Sequence, residues 1–327
     1  MTMNRSLIAT GLLAIATAAF AAEPTTKPVE FEFKGNPLVR EISSTDPDAH
    51  VWDGTVWVYC SQDHPKQAGD SGVYDHMDGY HAFSSTDLVH WTDHGEIMHS
   101  RDISWAPGGW LWAPGAARKD GKYYLYYPIK DKRGRWVTGV AIGDSPVGPF
   151  KDIGHPIEGT SGIDPAVFID DDGEAYVYLS DAIVAKLKPN MIELAEPMRK
   201  IVYGPQEVMS DDHKRFREGA YMHKYKGVYY FSYTNMSNKG SQGFYATGTS
   251  PYGPFEWKGA MANKPDGAQY HHSVIEFKGQ WYDFYHVGGA AFKPEGYKGS
   301  RRILCFDKLF YNEDGTIRTV EYTSEQK

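Results

Sequence analysis

A hairpin unit recurs five times along this chain, and that recurrence limits the possible folds more than any other feature. The units open at Asp46 ("DPDAHVWDGTVWVYCS"), Trp112, Asp164 ("DPAVFIDDDGEAYVYLS"), Glu218 and His271. Each reads as a strand, a glycine turn, then a second strand carrying Tyr or Trp. The turn glycines are Gly54, Gly121, Gly173, Gly227 and Gly279. A second echo keeps the same phase: "SPVGPF" from Ser145 closes the second unit and "SPYGPF" from Ser250 the fourth. Repeats of about 50 residues, each with a hairpin and room for two more strands, predict an all-β fold, a five-bladed β-propeller. "NEDGTI", near Asp314, reads as one more hairpin turn with a structural role. No helical period is sustained over three turns, which disfavours an α/β barrel.

Composition agrees. The 327 residues include 23 Tyr, 9 Trp and 34 Gly, the profile of many short aromatic strands separated by turns. The formal net charge is −8 and no basic run occurs, so a nucleic-acid partner is excluded on counterion grounds. Arg5 precedes an apolar run from Leu7 to Phe20, which reads as a secretory signal peptide over residues 1–21, cut after Ala21 and too short to span a bilayer. Residues 22–35 are expected to be a linker and 36–327 a single propeller domain. The mature protein is expected to be exported, free of the membrane and monomeric. Cys60 and Cys305 are the only cysteines, which leaves at most one bridge.

In a propeller the innermost strand of every blade faces a central channel, so equivalent positions converge at one end of it. Here those positions hold Asp46, Trp112, Asp164, Glu218 and His271. An Asp-Pro pair often begins a turn, and that alone explains Asp46 or Asp164 taken singly. Three carboxylates converging in one funnel call for chemistry or a metal, because burying them uncompensated is costly. Two uses compete: a metal cage, and glycoside hydrolysis by an acid and a base. Blades three and four are neighbours, which puts Asp164 beside Glu218. Like-charge crowding by Asp164 is then expected to keep Glu218 protonated as the acid. Asp46, two blades away, is expected to stay ionised as the base, a separation that favours inversion of the sugar.

The ordered set "TDPDAHVWDG", "SSTDLVHWTDHG", "LWAPGAARKDGKYYLYY", "IDPAVFIDDDGEAYVYLS", "EGAYMHKYKGVYYFSYT", "HHSVIEFKGQWYDFYH" and "SRRILCFDKLFYNEDGTI" resembles glycoside hydrolase family 43. The resemblance covers nearly the whole mature chain. It implies Asp46 as general base, Glu218 as general acid and Asp164 as the residue that tunes and orients the acid. It also implies that Trp112 and Arg302 bind substrate. His271 matches a histidine near the channel axis, associated with calcium held through water; His272 is its neighbour in the alignment. The implied activity is exo-acting release of pentose from hemicellulose or arabinan, as a β-xylosidase or α-L-arabinofuranosidase, with no organic cofactor. The histidine-preceded Asp-Pro context of endo-arabinanases is missing, as is the Asn-Asp-Pro-Asn start of retaining fructosidases. A non-catalytic sugar-binding propeller is the rival from another class. "YDHMDGYH" reads as a loop rimming the site, with His76 and His81 solvated.

Overall fold

Four of the recurring glycines follow a residue that also has positive φ: Asp53-Gly54 (51°, 75°), Asp120-Gly121 (50°, 74°), Lys226-Gly227 (48°, 79°) and Lys278-Gly279 (51°, 80°). Two consecutive left-handed residues make the two-residue hairpin turn whose twist matches that of its strands. The strand registers fit such turns, pairing Trp52 with Thr55, Lys119 with Lys122, Tyr225 with Val228 and Phe277 with Gln280. In blade 3 the acidic run Asp170–Gly173 makes a longer turn, closed by Asp170 N–H donating to the Glu174 carbonyl.

The computed structural model describes residues 27–237, 240–262, 270–288, 293, 295–296 and 298–323. The signal-peptide reading of residues 1–21 lies outside them. Five antiparallel sheets follow one another along the chain. Their innermost strands are Thr45–Trp52, Gly115–Lys119, Ala166–Ile169, Glu218–Tyr225 and His272–Phe277. Each of these packs against the innermost strand of the next blade, and that of blade 5 returns to blade 1, so the ring closes. The five-bladed propeller is therefore borne out. Among the described residues the only α-helix is the single turn Gln206–Ser210, and no helix is long and apolar enough to cross a membrane.

Within the stretch read as a linker, Val29–Glu32 needs a correction: it pairs with His90–Asp93 as a fifth strand on the outer edge of blade 1. Its alternating Phe31 and Phe33 reach a core cluster that contains Trp91 and Phe306, which gives this edge a reason to pair. The chain then runs along blade 5. Leu38 N–H donates to the Leu304 carbonyl (2.7 Å), and the Asn36 side chain bonds the backbone of Phe306 in both directions (2.9 and 3.0 Å). This seam ties the start of the domain to its last full-length strand, Arg302–Tyr311.

The two Ser-Pro turns also act alike. Tyr59 of blade 1 donates to the Pro146 carbonyl of blade 2, and Tyr178 of blade 3 to the Pro251 carbonyl of blade 4, each at 2.7 Å. Turns that look alike in sequence thus serve as the same latch between successive blades. The hairpin expected near Asp314 joins Arg302–Tyr311 to Ile317–Arg318. Cys60 and Cys305 are buried free thiols that belong to different core clusters, so the fold carries no bridge between them.

Candidate active site

Asp46 and Asp164 share an unusual backbone. Each precedes a proline and each has positive φ, 50° and 58°. The left-handed region is sparsely populated by residues with a side chain, and such strain gathers at functional sites. Neither carboxylate caps its own turn. Asp46 reaches across to blade 5, and Asp164 Oδ2 accepts the Gly219 N–H of blade 4 (2.9 Å), the residue just after Glu218.

The strands that carry Asp46 and Glu218 are also irregular. The ladder slips between Thr45 and Asp48 in blade 1 and between Glu218 and Tyr221 in blade 4. A bulge turns one side chain out of the regular alternation, a device common beside active sites. Gly219 completes it with φ 63°, where an added Cβ would meet Thr234 Oγ1 at 3.0 Å.

These features bring Asp46, Trp112, Asp164, Glu218, His271 and Arg302 together around one pocket of about 220 Å³ at the end of the channel. The sequence expectation that they converge is met. Larger hollows lie against the N-terminal segment, along the outer parts of blades 1 and 5 and at the opposite mouth of the channel, away from these residues. Tyr74 and Met77 complete the rim, as expected of their loop. His76 sits in that loop, paired with Asp70 (2.8 Å). His81 does not. It lies in the strand Gly79–Ser85, largely buried against Asp93 (3.1 Å), because the strand begins earlier than the polar sequence suggests.

Arg302 organises the charge. It is buried, its Nη1 donates to Asp46 Oδ1 (2.9 Å), and its Nε and Nη2 both donate to Asp63 (3.0 and 2.7 Å). Ser61 Oγ donates to the other Asp46 oxygen (2.7 Å), and the Asp46 N–H donates to His286 Nδ1 (2.9 Å). Burial alone would raise the Asp46 pKa. The Arg302 guanidinium, then His286 and His271, and the Ser61 hydroxyl outweigh it and hold the carboxyl well below its usual range.

Glu218 goes the other way. Burial first and the Asp46 charge second raise its pKa from 4.5 to about 7, against opposing pulls from Arg302 and Arg217. Burial likewise pushes Asp164 well up, and the Glu218 charge pushes it further. Here the sequence reading needs a correction. The charge that adds to burial in lifting Glu218 is that of Asp46, and Asp46 stays ionised through Arg302 and not through distance. The pocket therefore sets Asp46, favoured in its charged form, against Glu218, which holds its proton up to about pH 7, the division of labour that acid–base hydrolysis needs.

Trp112 is fixed by its own indole N–H, which donates to the Tyr74 carbonyl (3.1 Å), and by Trp136 at 4.4 Å between ring centres. His271 Nδ1 lies 3.8 Å from Asp46 Oδ1. His272 points away into the core, bonded to Ser232 (2.7 Å), so of the two neighbours it is His271 that lines the pocket. Calcium takes six to eight oxygen ligands. Among the described residues no group of three His, Cys, Asp or Glu side chains is placed to hold a metal. The Asp46 oxygens are already engaged by Arg302 and Ser61. Among the described residues the side chains alone thus do not form a calcium cage.

Sequence reasoning missed Asp63, Ser61 and His286. Ser61 and Asp63 are two apart at the end of blade 1's second strand, a spacing that puts both on one side, but nothing local identifies their partner.

The model of the family described as glycosyl hydrolases family 43 matches residues 34–317. The chain is 39% identical to xylosidase/arabinosidase 43A of Humicola insolens, over 86% of this chain and 98% of that one. It is 37% identical to a xylosidase/arabinosidase of Bacteroides ovatus, over 88% and 98%. Among solved structures, a calcium-free β-xylosidase/α-arabinofuranosidase from a compost microbial metagenome, in complex with xylotriose, superposes with a TM-score of 0.80 at 38% identity, covering 89% of this chain and 98% of that one. With the family match spanning nearly all of the propeller and the carboxylates gathered in its channel, the chain belongs to glycosyl hydrolase family 43.

Proposed function

We propose that the chain is an exo-acting, inverting glycosidase that releases single pentose units, β-D-xylosyl or α-L-arabinofuranosyl, from hemicellulose or arabinan. The observation that carries this reading is the convergence of Asp46, Asp164 and Glu218 in one small pocket, where Arg302 favours the ionised form of Asp46 and burial raises the pKa of Glu218. Glu218, about half protonated at pH 7 and more so below it, gives its proton to the glycosidic oxygen as the bond to the sugar breaks. Asp46 takes a proton from the water that attacks the opposite face. Asp164 holds the Gly219 N–H and so sets the direction of Glu218. Arg302 and Trp112 bind the sugar, one by hydrogen bonds and one by its indole face. The pocket's size suits one ring and not a chain, which supports exo action. The relatives' names pair xylosidase with arabinosidase, and the two sugars present similar hydroxyl positions. Export belongs to the same reading, supported by Arg5 and the apolar run after it. So does a calcium ion held through water beside His271, a separate and smaller part of it.

A panel of aryl xylosides and arabinofuranosides, xylo-oligosaccharides, arabinoxylan and arabinan, run with and without exhaustive chelation, tests all of this. Free pentose as the first product is expected. Tight binding without hydrolysis points to a sugar-binding propeller, and short oligosaccharides as first products contradict exo action. Loss of activity or of melting temperature on chelation supports the calcium ion; no change in either rejects it.

A further inference from the structure

Arg302 can serve Asp46 only while its guanidinium is held in one plane, and the residue that holds it is not in the pocket. Asp63 lies just beyond the strand Thr55–Ser61, its side chain fully buried, and it does not line the cavity. Its carboxylate spans Nε and Nη2 of Arg302, and Oδ2 also accepts the Arg302 backbone N–H (2.8 Å). The Asp63 N–H in turn donates to Ser43 Oγ (3.0 Å), whose hydroxyl donates to the Arg302 carbonyl (3.0 Å). Ser43, Asp63 and Arg302 thus close a loop of hydrogen bonds across the seam between blade 1 and blade 5.

The geometry points to Asp63 as a positioning residue for hydrolysis, one that fixes the Arg302 fork so that Nη1 meets the Asp46 carboxylate. The proposal rests on Asp46 being the base. Two parallel N–H···O bonds to a carboxylate set the direction of a planar guanidinium as a single bond cannot. With one edge pinned by Asp63, Nη1 is left to Asp46. Once the fork is broken, rotation about the side chain carries Nη1 away from Asp46, and the base loses its place relative to the sugar. Misplacing a reacting group by about 1 Å costs on the order of 10²-fold in rate. Arg302 also bonds the sugar, so ground-state binding weakens too, but Trp112 and the rest of the pocket keep their contacts and the larger loss falls on the chemical step.

The test is Asp63→Asn, which keeps the shape but gives the fork an amide in place of one acceptor oxygen. The expected result is a loss of about 10²-fold in kcat with a smaller rise in KM. In an Arg302→Lys background, which has no fork to hold, Asp63→Asn should lower kcat no further. A purely structural Asp63 predicts the contrary: kcat per folded molecule stays near wild type, or the two substitutions multiply, and either result overturns the proposal. Should Asp63→Asn fail to fold, Ser43→Ala, which frees the Asp63 N–H, is expected to lower kcat in the same way to a smaller extent; an unchanged kcat there overturns it too. Asp46→Asn run alongside separates the two readings. Activity surviving in Asp46→Asn refutes the base assignment itself, whereas an inactive Asp46→Asn beside a fully active Asp63→Asn refutes only the positioning.

Discussion

Asp46→Ala is expected to lower kcat/KM equally on a nitrophenyl pentoside and on a natural xylo-oligosaccharide, by about 10²–10⁴-fold on each. Both substrates need an activated water, and Asp46 is the carboxylate kept ionised to provide it. Glu218→Ala is expected to behave differently. A sugar hydroxyl is a poor leaving group that needs a proton, whereas nitrophenolate departs with little help. The loss should therefore be large on the oligosaccharide and clearly smaller on the nitrophenyl substrate. Glu218 also sets a pH limit. Its pKa of about 7 keeps the acid protonated below that value, so wild-type kcat/KM should fall as pH rises through it. That alkaline fall should weaken in Glu218→Ala on the nitrophenyl substrate. Leaving-group dependence in Asp46→Ala instead would reverse the two roles.

The largest effect on stability is expected from Arg302→Met. The guanidinium is buried between two buried carboxylates, and removing it strands both without their cation. Breaking a buried ion pair in this way costs about 3–5 kcal/mol, a drop in Tm on the order of 10 °C for a chain of this size. The sign of the pH dependence follows. In the wild type the Asp46 pKa lies below its ordinary 3.8, so the pair's contribution is present at neutral pH and is lost only as pH falls toward the folded value. In the variant, burial acts with less opposition and lifts that pKa above the unfolded one. Acidification then lets Asp46 take up a proton, and the deficit relative to wild type should shrink as pH falls. A deficit that is the same at pH 7 and pH 5, measured by thermal melts, would show that the charge on Asp46 is not what Arg302 stabilises.

How much of this was legible in the sequence depends on how local each signal was. The hairpins were legible because an Asp-Gly or Lys-Gly turn and the strands beside it specify one another within a few residues. The five positions at the channel mouth were legible because the repeat places them in one phase. The edge strand Val29–Glu32 was not, since four largely exposed residues with charges at alternate positions look like any extended linker. Asp63 was not legible for a different reason. Its partner lies 239 residues away, across the seam that closes the ring, and no period within a blade relates the two. The bulges at Asp46 and Glu218 also stayed hidden, because an extra residue in one strand shows only against the register of its neighbour. The source of the Glu218 shift was misread in the same way. Adjacent blades suggested Asp164, but protonation follows the whole charge field, in which Arg302 keeps Asp46 ionised and the Asp46 charge bears on Glu218.

The central claim is that Asp46 and Glu218 act on opposite faces of the sugar with a water between them. That arrangement requires carboxyl groups about 6.5–9.5 Å apart and forbids a covalent sugar–enzyme intermediate. Proton NMR of the anomeric signals during the first moments of hydrolysis tests it most directly, before the released pentose equilibrates. The account predicts that the first sugar to appear carries the anomeric configuration opposite to that of the substrate. First appearance of the retained anomer would contradict it.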